Sequence, residues 1–298
     1  MTALTPTQHR DPTGRVPVSV WLTGQQPAVR QLAYRYVPES SAYRDAMLPS
    51  IARHAIETYT EPGQIVLDPL CGIGTTVVEA AHLGRTGLGV EHDRRWATVA
   101  EQNLGFALQR GVPGKGGIWH TDPCALPPDF MDRYAGHVGL VLTTPRLTTR
   151  IHGRVNDEGR HGRRGVQGNG RFCSESQRSI AANPLAVLPR VLQNLRPLLA
   201  PDARVAIVAR TQPLHGHIVD LPSVVFGAGR AAGLVPVERV VALRAEYVHE
   251  AEDGEYLVSS PSDFQLGYVR QQRACGVPLS LTVAEDVCVL AAPAQAGE

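Results

Sequence analysis

From residue 64 to residue 292, short apolar and β-branched runs alternate with stretches of helical periodicity, which restricts the chain to a parallel sheet with crossover helices. Residues 64–68 read as a first strand, 75–84 as a helix stopped by Gly84, 86–91 as a second strand and 93–111 as a long helix. Third and fourth strands are expected at 117–122 and 139–144, then a helix at 183–199 that tolerates Pro189 and Pro197. A fifth strand (203–209), a helix (221–233) and a sixth strand (234–243) follow. A seventh (279–292) carries a kink or bulge, and the insertion 245–278 before it holds a helix at 262–274. Seven strands fed by helices make one doubly wound, Rossmann-like α/β domain over 64–292, whose ligand should lie beyond the carboxyl ends of the strands. Residues 17–63 read as an appendage to it, and 1–16 as a disordered terminus.

Composition excludes several classes. A net charge of +1, a pI near 7.8 and 43% hydrophobic residues suit neither a disordered chain nor a polycation. No run approaches the eighteen apolar residues of a membrane span and no signal peptide opens the chain, so a soluble cytoplasmic protein without membrane contact is expected. The 5 cysteines are scattered without a CxxC pair, which argues for reduced thiols and against structural zinc. His215 and His217 lack a third ligand at a recognisable spacing, so no metal is expected. Lys115 is the sole lysine among 29 Lys and Arg residues, a bias that fits a GC-rich coding genome and weakens Arg frequency as a signal. Local concentration still counts. Residues 150–171 gather Arg150, Arg154, Arg160, Arg163, Arg164 and Arg171 against Asp157 and Glu158, about +4 where the rest of the chain sums to about −3. They read as a mobile basic loop able to neutralise phosphates.

The first strand runs into Asp68-Pro69-Leu70-Cys71-Gly72-Ile73-Gly74-Thr75-Thr76, a turn whose glycines let backbone approach a ligand closely. Glu91 ends the second strand, where an acid can bind the two hydroxyls of a ribose, and Asp122 ends the third, within reach of an adenine ring. A nicotinamide dinucleotide fits poorly: its fingerprint wants a small residue where Val77 stands, and its pyrophosphate would face Asp68. S-adenosylmethionine (SAM), with a cationic amino acid end and no phosphate, removes that conflict.

These residues resemble the amino-group DNA methyltransferases, which use SAM to methylate N6 of adenine or N4 of cytosine. DPLCGIGTT (68–76) is similar to the family's first motif, and GRTGLGVEHDRRWATVAEQNL (84–104) to its second. RYVPESSAYRDAMLPSIARHAIETYTEPGQ (35–64) resembles the helix that lines the methionine end of SAM. Segments including VWLTGQ (20–25), HGRV (152–155), VDLPSVV (219–225) and EDVCVL (285–290) resemble an actinobacterial branch. The likeness implies that Met47, Asp68, Pro69, Cys71, Gly72, Gly74, Thr75, Glu91, His92, Asp122 and Thr143 surround the cofactor. It also implies DNA as partner, with RNA as an alternative.

The catalytic motif departs from the family. Counting back from His152-Gly153 puts Thr144, Pro145, Arg146 and Leu147 where the family carries Asp, Asn or Ser, then Pro-Pro, then an aromatic residue. An exocyclic amino lone pair is delocalised into the base, so the enzyme must accept hydrogen bonds from both amino hydrogens to free it. The Thr144 hydroxyl and the Pro145 carbonyl can do so. Arg146 lacks the ring that would fix the backbone path, and Leu147 lacks the π face that stacks on a flipped base. Either an altered, working site or a SAM-binding pseudoenzyme follows. Pro123-Cys124 echoes a cytosine C5 nucleophile but follows the wrong strand, and Cys71 reads as packing.

Overall fold

The computed structural model describes residues 18–43, 46–145, 184–209, 213–214, 217–218, 220–250, 254–259 and 263–293. In chain order these form β1 (Val20–Trp21), α1 (Ala28–Leu32), a 3-10 turn (Pro38–Ala42), α2 (Pro49–Tyr59), β2 (Ile65–Asp68), α3 (Thr75–His82) and β3 (Thr86–Glu91). Next come α4 (Arg94–Gln109), β4 (Lys115–His120), α5 (Pro128–Tyr134), β5 (Val138–Thr143), α6 (Pro184–Leu195) and β6 (Leu199–Ala209). Then follow β7 (Pro213–Leu214), β8 (His217–Ile218), α7 (Leu221–Ala231), β9 (Val235–Leu243), β10 (Glu246–Glu250), β11 (Gly254–Val258), α8 (Asp263–Ala274) and β12 (Ala284–Ala291).

One sheet of order β1-β9-β12-β6-β5-β2-β3-β4 dominates, parallel throughout except for β12, which runs against both β6 and β9. The chain therefore winds outward from β2 to β4, then returns to β5 on the other side of β2. That reversal opens a crevice at the carboxyl ends of β2 and β5. The sheet is buried on both faces because its central strands alternate two apolar sets. Leu67, Val141, Val205 and Ile207 pack with residues of α5, α6 and α7, whereas Val66, Leu140, Leu142, Ala206 and Val208 pack with α2.

The seven strands read from sequence are present, with an eighth at the edge. The two-residue β1 is too short to show any periodicity. It is held by pairing with Val241 and Ala242 and by Trp21, whose ring lies 4.5 Å from His54 and 6.2 Å from Tyr59. β4 starts at Lys115, two residues before the expected strand, because Gly116 is ladder rather than turn. A Cβ there would sit 2.5 Å from the Gly87 carbonyl oxygen. Helix α5 and the hairpin β10–β11 were not anticipated, and the irregularity expected in the last strand is a register shift at Val289/Leu290.

The segment before β2 is tied into this core by buried polar groups. Asn103 of α4 accepts from the Val37 N–H (2.7 Å) and donates to Ser40 Oγ (2.9 Å) and to the Ile73 carbonyl (2.8 Å). Glu79 of α3, almost fully buried, accepts from Arg35 (2.6 Å) and from the Tyr36 hydroxyl (2.8 Å). Removing one member of a buried pair leaves the other uncompensated, at a cost of ~3–5 kcal/mol when both are enclosed. The Arg35 side chain is 32% exposed, so Arg35→Met is expected to cost less, about 2 kcal/mol, read as a fall in thermal melting temperature.

Candidate cofactor and catalytic site

Three strand ends bring three carboxylates to one edge. Asp68, the last residue of β2, is 4% exposed, accepts from the Leu70 N–H (3.1 Å) and from the Thr76 hydroxyl (2.8 Å), and has the Thr143 hydroxyl beside it without full hydrogen-bond geometry. Burial outweighs these partners and pushes its pKa up to about 6. Glu91, the last residue of β3, accepts from the Gly72 N–H (2.8 Å) and the Asp93 N–H (2.9 Å), with His92 Nδ1 at 3.0 Å. Burial alone would raise its pKa, but the His92 contact and these backbone donors hold it below the usual carboxylate range. Asp122 is buried as well and accepts from the Cys124 N–H (2.8 Å). It lies two residues beyond the end of β4 rather than on it, because β4 stops at His120.

The turn between β2 and α3 is built for close approach. Gly72 (φ +54°) and Gly74 (φ +80°) adopt a left-handed backbone that other residues resist. A Cβ on Gly74 would stand 3.0 Å from the Ala100 Cβ, so α3 and α4 close together only over glycine. Pro69 enters the turn, and Thr75 opens α3, buried. The donor set suits a cationic amino acid end and a ribose and would repel a pyrophosphate, which fits SAM. Val77 is fully buried where a dinucleotide fingerprint needs a small residue.

At the end of β5, Thr143 is fully buried and Pro145 is buried. The Thr144 hydroxyl is enclosed and has no hydrogen-bond partner among the described residues. An enclosed hydroxyl without a partner is costly, and such groups persist where a ligand completes them. Arg146 and Leu147, and the six arginines of 150–171, lie outside the described residues.

Several expectations change on this scale. Met47 is buried in the apolar cluster of α2 with Leu142 and Val208, so it packs against the sheet. The side chain that lies against the glycine turn is Tyr43: a Cβ on Gly72 would fall 2.5 Å from its Cζ. Its ring meets Trp96 of α4 edge to face at 4.7 Å. Tyr43 was not singled out from sequence, where it was an isolated ring without periodicity. Burial first, then the Glu91 and Asp68 charges, drives the Cys71 thiol far above its usual pKa, and burial raises Cys124 to about 11; both are packing groups rather than nucleophiles. No helix among the described residues is long and apolar enough to cross a membrane.

Residues 5–102 match the N6/N4 DNA methylase family model. The chain is 32% identical over 97 residues to the Type II methyltransferase M.BglII of Bacillus subtilis, a stretch covering 32% of this chain and 24% of that protein. It is 37% identical over 68 residues to the Type II methyltransferase M.MjaI of Methanocaldococcus jannaschii, covering 22% of each. The chain thus matches about a quarter of the length of these curated relatives. Among solved structures, TrmN from Thermus thermophilus superposes with a TM-score of 0.45 at 16% identity, covering 88% of this chain and 53% of that one. Over this cofactor-site segment the chain is similar to the N6/N4 DNA methylases, and the match covers about a third of its length.

Proposed function

We propose that the chain is a SAM-dependent methyltransferase that acts on the exocyclic amino group of an adenine or cytosine flipped out of DNA. The observation that carries this reading is the enclosed Thr144 hydroxyl, without a hydrogen-bond partner among the described residues, one residue beyond the strand that pairs with β2, at the position where the family places its amino-group acceptor. Asp68, Gly72, Gly74, Glu91 and Asp122 would hold the cofactor. Bound there, SAM would supply an electrophilic methyl group. The chain's own work is at the nitrogen. Thr144 Oγ1 and the Pro145 carbonyl accept from the two amino hydrogens, localising the lone pair, and one amino proton passes to solvent as the N–C bond forms. Orienting the amino group against the methyl carbon is the remaining contribution, worth up to about 10²-fold per misplaced ångström.

The segment 150–171 is assigned to phosphate contact around the flipped base. Replacing Arg163 and Arg164 together by Ala should lower DNA affinity and flatten its dependence on salt by nearly two units of log–log slope. An unchanged slope would remove the segment from the interface. The narrower likeness to an actinobacterial branch and a cytoplasmic location belong to the same proposal.

The test is single-molecule sequencing of genomic DNA from a methylation-free bacterial host, with and without the chain expressed. New N6-methyladenine or N4-methylcytosine at a defined motif identifies base and target together. An unmodified genome with soluble protein present favours the second reading, for which Pro145-Arg146-Leu147 speaks directly: a SAM-binding module without transfer activity. Transfer to RNA but not to DNA would move the substrate to RNA.

A further inference from the structure

Tyr43 closes the 3-10 turn Pro38–Ala42, and its N–H donates to the Ser40 carbonyl (3.1 Å). Ser40 and Val37 are in turn anchored on Asn103, which also holds the Ile73 carbonyl of the glycine turn. One buried amide therefore positions both the turn and the ring that covers it. The space a Gly72 side chain would need is filled by Tyr43: the hypothetical Cβ would lie 2.3 Å from its hydroxyl oxygen and 2.5 Å from Cζ. Trp96, five residues after Glu91, meets this ring edge to face, and the Arg95 guanidinium lies 4.7 Å over the indole. An aromatic pair thus stands between the glycine turn and the first turn of α4.

Resting on the cofactor reading above, the geometry points to Tyr43 as the residue that selects the charged cofactor over its neutral product. Asp68 and Glu91 answer the α-ammonium and the ribose, but neither answers the sulfonium. The electron-rich face of an aromatic ring attracts a cation and has no comparable hold on a neutral thioether. Methyl transfer turns one into the other, so a π wall at this turn weakens its grip when the methyl group leaves. Tyr43 is a specificity-determining residue in this sense, and nothing in the amino-group chemistry at Thr144 depends on it.

The experiment is calorimetric titration of the full chain with SAM and, separately, with S-adenosylhomocysteine, for wild type, Tyr43→Phe and Tyr43→Leu. Tyr43 is only half-buried, so either side chain is accommodated, and an unchanged melting temperature verifies the fold. Tyr43→Leu should weaken SAM about three- to thirtyfold while the thioether shifts less than about twofold. Tyr43→Phe, which keeps the π face, should retain the wild-type ratio. Equal losses for both ligands would reduce Tyr43 to packing, and a Phe variant that behaves as Leu would assign the effect to the hydroxyl; either result overturns the proposal. Wild-type protein that binds neither ligand overturns the cofactor reading itself, and this inference with it.

Discussion

The triple variant Thr144→Ser, Arg146→Pro, Leu147→Tyr is expected to methylate DNA about 10²–10³-fold faster than the wild-type chain. The magnitude follows from what each position supplies. A ring at 147 restores stacking on the flipped base, about 1–3 kcal/mol or roughly ten- to a hundredfold. A second proline fixes the path along which the Pro145 carbonyl reaches the amino group, where a shift of about 1 Å costs up to ~10²-fold. Serine keeps the acceptor hydroxyl and removes the methyl that Thr144 carries. The two larger effects overlap, because stacking also orients the amino group, so their product is an upper bound. A single-turnover assay with radiolabelled cofactor measures it. Slow transfer by the wild type together with a large gain marks a weakened enzyme. No transfer by the wild type together with a gain marks a module that kept the cofactor site and lost the chemistry. No gain at all would mean that Arg146 and Leu147 belong to a different, working substrate pocket.

Legibility from sequence followed the physics of each feature. Seven strands of the main sheet, from β2 to β12, could be read because strands buried on both faces leave continuous apolar runs, as in Val138–Thr143, buried throughout. Asp68, Gly72, Gly74 and Glu91 were legible because strand-end acids and left-handed glycines occupy fixed offsets around one turn. What escaped depended on contacts remote in sequence. β1 needs β9 to exist, and Trp21 needs α2. Gly116 fell outside the expected strand because the close approach of Gly87 is a tertiary fact. Tyr43 was hidden for the same reason. Its turn is anchored through Ser40 on Asn103, far along the chain, whereas the family likeness pointed to Met47, which is buried behind the sheet.

Affinity for SAM should fall about tenfold per pH unit below pH 6 and level off above it, because Asp68, the carboxylate proposed to hold the cofactor, is the one burial has raised to about 6. In the ligand-free protein an ionised Asp68 is unfavourable: burial holds its pKa above the ordinary aspartate value. That group therefore contributes stability fully present below about pH 4 and lost as pH rises through 6, on the order of 3 kcal/mol. A bound α-ammonium reverses the balance by favouring the carboxylate, so binding near pH 6 must release a proton from Asp68. Glu91 does not interfere in this window, since its hydrogen bonds hold its pKa below the usual range and it stays ionised on both sides of pH 6. Calorimetric titration between pH 8 and pH 5, repeated in buffers of different ionisation enthalpy, reads both the affinity and the proton. Asp68→Asn should bind SAM more weakly at neutral pH and lose the slope, because an amide cannot titrate. A slope that survives in Asp68→Asn would assign the proton to another group and would place the ammonium elsewhere in the crevice. A wild-type affinity that stays flat from pH 8 to pH 5 would mean that Asp68 never meets a cation, and would leave Thr76 and the Leu70 N–H as its only reasons for being there.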